Sequence, residues 1–189
     1  MRKIRIFEHT SLDGVIEHED GYPYGAWTAP FRRPGGPSLV LEAQGPRFDL
    51  LLGRHTYDLW SGYWPKAGKS PMADALNAAT KFVATHRPDS LGWGPAQALG
   101  ADLVEGVRGL KAQDGPDLIV WGSSTLTSVL FGHGLVDEVV LIVYPVLLGR
   151  GKRLLADNVA ARELVLINTK ATPAGVFLNT YRHVGALRS

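Results

Sequence analysis

Apolar positions fall into short runs that end on glycine or polar residues, and most runs are separated by segments with helical spacing. Ile4 to His9 predicts a strand. Ser38 to Gln44 predicts a short helix, and Arg47-Phe48-Asp49-Leu50-Leu51-Leu52 a strand closed by a tight turn at Gly53. Tyr57 and Trp60 open a helical face. Met72 to Thr80 forms a short helix around Leu76, followed by a strand from Lys81 to Ala84 that stops at Thr85-His86-Arg87-Pro88. Val104 to Lys111 is a further helix. Leu118-Ile119-Val120-Trp121 is a buried strand ended by Gly122, after which Leu126, Val129 and Leu130 recur at helical spacing. Strand, glycine, helix thus occurs twice.

Val139 to Leu148 predicts a strand interrupted at Pro145, which has no N–H for a ladder. Leu164 to Thr169 and Val176 to His183 flank Pro173-Ala174-Gly175, a hairpin signal. Alternating strands and helices followed by a strand-rich tail predict an α/β sandwich whose sheet is parallel in the middle and antiparallel at one edge. The Pro- and Gly-rich stretch from Gly21 to Pro37 predicts a long loop beside a site. With 189 residues, no internal repeat and no linker, one domain over 1–189 is expected.

Composition removes several classes of function. At 45% hydrophobic and 20% charged residues the chain can fill a core, which excludes disorder. A net charge of +2 is too small for a surface that tracks nucleic acid. The absence of cysteine removes disulfides, thiolate nucleophiles and Cys-based metal sites, and no metal is expected. Arg2, Lys3 and Arg5 stand where a secretory signal would be apolar, and the uncharged stretch Leu118 to Val136 is broken by Gly122, Gly132 and Gly134. Neither a secretory signal nor a membrane span is expected, and the cytoplasm is the expected location.

Familiar motifs are missing. Gly92-Trp93-Gly94, Gly132-His133-Gly134 and Gly149-Arg150-Gly151 lack the third glycine of a dinucleotide fingerprint. No P-loop, HExxH pair or Gly-x-Ser-x-Gly elbow occurs. Three strand ends remain. At the first, Gly53 permits close backbone approach, Arg54 either makes a surface ion pair or offers a forked cation to phosphate, and Thr56 either caps the helix or gives a hydroxyl to the same anion. At the second, Thr85, His86 and Arg87 suit a ribose phosphate, or form an ordinary solvated loop. At the third, Gly122, Ser123, Ser124 and Thr125 either cap a helix or offer its N-terminus to a diphosphate. Three such ends in one small domain favour a dinucleotide.

Ser11-Leu12-Asp13-Gly14, Leu51-Leu52-Gly53-Arg54-His55-Thr56-Tyr57, Trp64-Pro65, Leu76-Asn77 with Lys81-Phe82-Val83, Gly134-Leu135-Val136-Asp137-Glu138 and Pro145 through Leu154 occur in order across nearly the whole chain. This set resembles the dihydrofolate reductase-like family, typified by the C-terminal reductase domain of bacterial bifunctional riboflavin-biosynthesis proteins. The resemblance implies a three-layer α/β/α sandwich with a mixed, mostly parallel central sheet and an antiparallel C-terminal hairpin. It also implies NADPH as cofactor. Gly53, Arg54 and Thr56 would then hold its phosphates, Thr85, His86 and Arg87 the adenosine 2′-phosphate, and Gly122 to Thr125 the diphosphate. The loop Thr10 to Gly14 would lie against the nicotinamide. Relatives form two-fold dimers through sheet edges, so a homodimer involving Val139 to Leu148 is expected. Dihydrofolate reductases proper have Gly-Gly where this chain has Gly122-Ser123, and an acid where it reads Pro34-Gly35-Gly36-Pro37-Ser38-Leu39. Reduction of dihydrofolate itself is therefore not expected.

The expected reaction is hydride transfer from NADPH to a C=N or C=O carbon of a small heteroaromatic substrate, a pyrimidine such as 5-amino-6-(5-phosphoribosylamino)uracil or a pterin-like ring. Asp13 and Glu42 are the candidate proton donors, although Asp13-Gly14 alone would make a turn. Trp27 and Phe31, with Trp60 and Trp64, are candidate walls for a flat ring. Arg150 and Lys152 either meet a substrate phosphate or belong to a solvated turn. A non-catalytic nucleotide-binding dimer and a flavin-binding oxidoreductase are the alternatives.

Overall fold

Alternation along β1 (Ile4–Ser11) sends Ile4 and Ile6 to one face of a central sheet and Phe7 to the other, and each face is covered by helices in the computed structural model. The structure describes residues 1–18, 21–32, 36–155 and 159–188. The remaining strands are β2 (Phe48–Gly53), β3 (Lys81–Ala84), β4 (Ala96–Ala98), β5 (Asp117–Trp121), β6 (Glu138–Tyr144), β7 (Arg162–Ala171) and β8 (Phe177–Ala186). They lie in the order β4-β3-β2-β5-β1-β6-β8-β7, parallel through β6 and antiparallel for the β6–β8 and β8–β7 pairs.

Helices α1 (Gly36–Gln44), α2 (Arg54–Tyr63) and α3 (Pro71–Ala78) bury Val40, Tyr57 and Leu76 against Phe7, Leu50, Leu52 and Ile119. On the other face α4 (Leu103–Ala112) and α5 (Ser124–Gly132) bury Val107, Leu110, Leu126 and Leu130 against Ile4, Ile6, Leu118 and Val120. These are the three expected layers. The central strands are buried on both faces, so their sequences read as near-continuous apolar runs.

Some boundaries differ from the sequence expectation. The Val139–Leu148 strand ends at Tyr144, because Pro145 cannot donate and Val146 N turns back to Tyr144 O at 2.8 Å. The β4 strand was not anticipated; three residues, Ala-Gln-Ala, carry no apolar pattern. The expected long loop from Gly21 to Pro37 contains a 3-10 turn at Ala29–Phe31 and gives way to α1 at Gly36; residues 33–35 lie outside the described residues. Of the stretch Val139 to Leu148, expected to contribute to a homodimer, Leu147 is exposed. Here β6 is interior, paired on both sides by β1 and β8, with Val139, Val140 and Ile142 buried. The outer strand is β7, where Leu164, Val165, Leu166 and Ile167 are exposed.

Candidate active site

Parallel register brings the three strand ends together. Leu51 pairs with Val120 and Gly53 with Ala84, so the carboxyl ends of β3, β2 and β5 lie side by side, where open α/β sheets bind ligands. The turns touch. A Cβ on Gly53 would stand 2.7 Å from Ser123 Oγ, and one on Gly122 would stand 3.2 Å from Thr56 Oγ1. Glycine is required at Gly122 also because its φ is +62°. Ser123 follows in the same left-handed region, unusual for a residue with a Cβ, and its Oγ accepts from Leu126 N as the cap of α5. Thr127 Oγ1 donates to Gly122 O at 3.5 Å, tying the turn to the helix.

Arg54 links the first end to the second. Its Nη1 donates to Thr85 Oγ1 (3.3 Å), Arg87 O (3.0 Å) and Ser90 Oγ (2.9 Å), and its Nε to Asp58 Oδ1 (2.8 Å). Arg87 Nη2 reaches Asp58 Oδ2 at 3.2 Å. Two guanidinium groups thus share one carboxylate, and the bond to Arg54 holds Asp58 below the usual carboxylate range. His86 is exposed at the same turn. Thr10 is buried near the end of β1, and its hydroxyl donates to Ser11 O at 3.0 Å.

Beside Gly122, β1 carries two polar residues that point to opposite faces. Glu8 is 2% exposed, accepts from His9 N at 3.0 Å and from the Gly122 N–H, and leaves Oε2 without a partner. Burial pushes its carboxyl up to about 8, so it is a neutral acid at pH 7. His9 stacks on Trp121 with centroids 5.3 Å apart, and its Nδ1 lies 2.9 Å from Tyr144 Oη. Burial lowers the imidazole to about 3, assisted by the nearby charges of His18 and Arg32. The rings of Trp27 and Phe31 meet Tyr144 edge-on at 5.3 and 5.7 Å. Trp27, Phe31, Tyr144, His9 and Trp121 therefore form one aromatic wall, continued through Trp60, 6.0 Å from Trp121, to Trp64.

Four of the expected site residues make contacts away from the Gly53 and Gly122 turns. Asp13 accepts from Ser11 Oγ (2.7 Å), Leu148 N (3.1 Å) and Gly149 N (2.6 Å). Those bonds hold its carboxyl down to about 2, and through them it clips two loops together. Glu42 is exposed and pairs with Lys170 of β7 at 2.7 Å, toward the far edge of the sheet. A shallow depression of about 390 Å³ beside it, lined by Ser38, Leu41, Glu42, Gly45 and Pro46, likewise lies away from the strand ends. Arg150 is exposed with its guanidinium 5.8 Å from the Tyr24 ring, and Lys152 N donates to Glu17 Oε2 at 3.0 Å. Their loop is fastened to the chain after β1 by the Val15–Arg153 bridge.

The sequence reading passed over Glu8, His9, Asp58 and Tyr144. A signal existed for the first two, because adjacent polar residues inside a strand buried on both faces must each find a partner or titrate abnormally. Among the described residues no cluster of His, Asp and Glu could hold a metal. None of the helices formed by the described residues is long and apolar enough to cross a membrane.

Comparison with known families settles the kinship. The profile of the RibD C-terminal domain matches residues 2–178. The chain belongs to that family. It is 30% identical over 189 residues to the uncharacterized protein YyaP of Bacillus subtilis (strain 168), covering 97% of this chain and 96% of that protein. Among solved structures it is similar to a putative riboflavin biosynthesis protein from Shewanella sp. PV-4, with TM-score 0.75, 20% identity, and 96% and 99% of the two chains covered. It is also similar to a diaminohydroxyphosphoribosylaminopyrimidine deaminase/5-amino-6-(5-phosphoribosylamino)uracil reductase from Thermotoga maritima, with TM-score 0.65, 18% identity, and 97% of this chain against 57% of that one. Dihydrofolate reductase from Enterococcus faecalis, complexed with NADP(H), shares the architecture at TM-score 0.60 and 14% identity over 96% of each chain. The fold is dihydrofolate reductase-like.

Proposed function

We propose that this RibD C-terminal family member is an NADPH-dependent reductase that delivers hydride to a C=N or C=O carbon of a small heteroaromatic compound. A pyrimidine such as 5-amino-6-(5-phosphoribosylamino)uracil is the first substrate to test. The observation that carries the reading is the contact of the three strand-end turns, with Gly53 against Ser123, Gly122 against Thr56, and Arg54 bonded to the Thr85–Arg87 turn. The hydroxyls of Ser123 and Thr56 pack against the two glycines, where a Cβ would collide, so both hydroxyls converge on the turn that opens α5, a polar setting suited to a diphosphate.

In this reading Gly53, Thr56 and Gly122 to Thr125 hold the diphosphate, and Arg54, Thr85, His86 and Arg87 the 2′-phosphate. Thr10 lies on the nicotinamide side. Asp58 must yield its bonds to the two guanidinium groups when a phosphate enters, leaving both cations for the anion. The aromatic wall of Trp27, Phe31, His9, Tyr144 and Trp121 holds a flat ring and excludes water from the hydride path. When bound, the nicotinamide supplies the hydride; the chain supplies position and a proton.

Titration with NADPH and NADH, followed by tryptophan fluorescence, tests this reading. NADPH should bind more tightly than NADH. Arg87→Ala, whose side chain is 65% exposed and so dispensable for folding, should weaken NADPH by roughly 10- to 100-fold and leave NADH nearly unchanged. No binding of either nucleotide would overturn the assignment. We also propose a homodimer built on β7, since an outer strand with four consecutive exposed apolar residues is suited to pair with a second copy about a two-fold axis. Light scattering should show a dimer that Leu166→Lys converts to monomer; an unchanged mass would refute it.

A further inference from the structure

We propose that His9 and Tyr144 form the proton-delivery pair of this site: the imidazole presents its Nε2 edge to the atom that accepts the proton, and the Tyr144 hydroxyl, bonded to Nδ1, replaces the proton the ring gives up. The proposal rests on the reductase reading above. Hydride addition to a C=N or C=O carbon leaves an electron pair on the heteroatom, and some group must protonate it. Asp13 is clamped as an anion by three donors, and Glu42 lies toward the far edge of the sheet.

The pair occupies the right place. His9 lies on the β1 strand between β5 and β6, stacked on the Trp121 ring that immediately precedes the Gly122 turn. Tyr144 closes the same wall from the end of β6, where Trp27 and Phe31 pin its ring edge-on. The phenol is buried, whereas the imidazole stays partly exposed with Nδ1 already engaged at 2.9 Å. Nε2 is then the nitrogen left for a ligand.

The electrostatics fix how a proton can move. Burial, with the Arg32 guanidinium close by, prevents the ring from holding two protons near neutral pH. Burial also keeps the Tyr144 phenol protonated, although Arg32 partly opposes this. With Tyr144 donating to Nδ1, the single ring proton is on Nε2. With hydride supplied to the carbon by a reduced nicotinamide, the π pair would move to the heteroatom and take the Nε2 proton. The Tyr144 proton passes to Nδ1 in the same step, so the ring stays neutral. Solvent then restores the proton to the resulting tyrosinate. One hydride and one proton are added, and the nicotinamide is the group oxidised. Here His9 is the residue that touches the substrate, and Tyr144 acts through it.

Two experiments test the pair in the full-length protein. In the first, ¹⁵N NMR of His9 is followed from pH 5 to 9 with NADPH present and absent. The proposal requires a neutral ring protonated at Nε2 throughout, switching its Nδ1 shift in Tyr144→Phe; an imidazolium in this range, or a proton fixed on Nδ1, overturns it without any substrate. In the second, wild type and Tyr144→Phe are compared with 5-amino-6-(5-phosphoribosylamino)uracil and a panel of neutral pyrimidines, pterins and quinones. Loss of only one oxygen should lower kcat about 100- to 1,000-fold, leave KM and NADPH affinity within threefold, and abolish the alkaline limb of the kcat–pH profile. Turnover within threefold of wild type overturns the pair while sparing the reductase reading. Failure of NADPH to bind sinks the reductase reading itself, and nucleotide binding without turnover across the panel rejects both.

Discussion

Replacing Glu8 with Gln gives a quantitative test of the buried acid behind the Gly122 turn. The native carboxyl keeps its proton up to about 8, against 4.5 for an unperturbed glutamate. Between those values the unfolded chain releases a proton that the folded chain retains. Stability contributed by Glu8 is therefore full below pH 4.5 and is lost as pH rises through about 8. At about 1.4 kcal/mol per unit, the whole window corresponds to roughly 5 kcal/mol, an order-of-magnitude figure. Gln keeps the shape and the oxygen that accepts from His9 and Gly122, and it does not titrate. It does bury an extra N–H where Oε2 has no partner, costing about 1 kcal/mol at every pH.

Urea denaturation of both proteins at half-unit steps from pH 5 to 9 gives the difference directly. The other titrations common to both chains cancel, including His9, whose lowered value makes stability rise with pH between about 3 and 6.5. The two proteins should be about equally stable at pH 5, and wild type the less stable one by at least ~2 kcal/mol at pH 8.5. A difference constant to within 0.5 kcal/mol (about the resolution of such comparisons) would mean that Glu8 is already ionised in the folded state, and the reasoning from burial would be wrong.

Three further outcomes are expected. Asp13→Asn should loosen the clip on Leu148 and Gly149, speeding proteolysis of the 146–153 loop while kcat stays within about tenfold of wild type; a hundredfold loss of kcat with the loop still protected would make Asp13 the proton source. Asp58→Asn should tighten NADPH up to about fivefold by removing the carboxylate that competes for Arg54 and Arg87, with NADH unaffected; weaker NADPH binding in a titration would contradict the site. Lys81 is fully buried, donates to Asn77 O and Gly94 O, and is lowered by burial to about 8. The unfolded chain binds more protons between that value and 10.5, so wild-type stability should rise with pH across this window and Lys81→Met should flatten the rise in urea titrations.

The strands and helices were legible because local periodicity encodes them. Leu118 to Trp121 and Lys81 to Ala84 were placed to within a residue, since strands buried on both faces leave apolar runs and stop at glycine or proline. The β4 strand was not legible, because Ala96-Gln97-Ala98 has no pattern of its own and is ordered only by pairing with β3. Among site residues, the three strand ends stood out by residue type. The roles of Asp13, Glu42, Arg150 and Lys152 could not be judged by type, since a carboxylate or guanidinium reads the same whether it faces a ligand, a backbone clamp or solvent.

By itself the sequence determined the order of elements, the parallel core with its antiparallel hairpin, and the glycine positions at Gly53 and Gly122. Each of these depends on neighbours within a turn or a strand. Only the tertiary structure decided that Arg54 meets Thr85 and Arg87 from 31 to 33 residues away, and that Tyr144 meets His9 across 135. It also decided that Glu8 is a neutral acid while Asp13 is a fixed anion. Proton affinity depends on burial and on donors brought in by distant strands, and those are set by register and packing over the whole sheet.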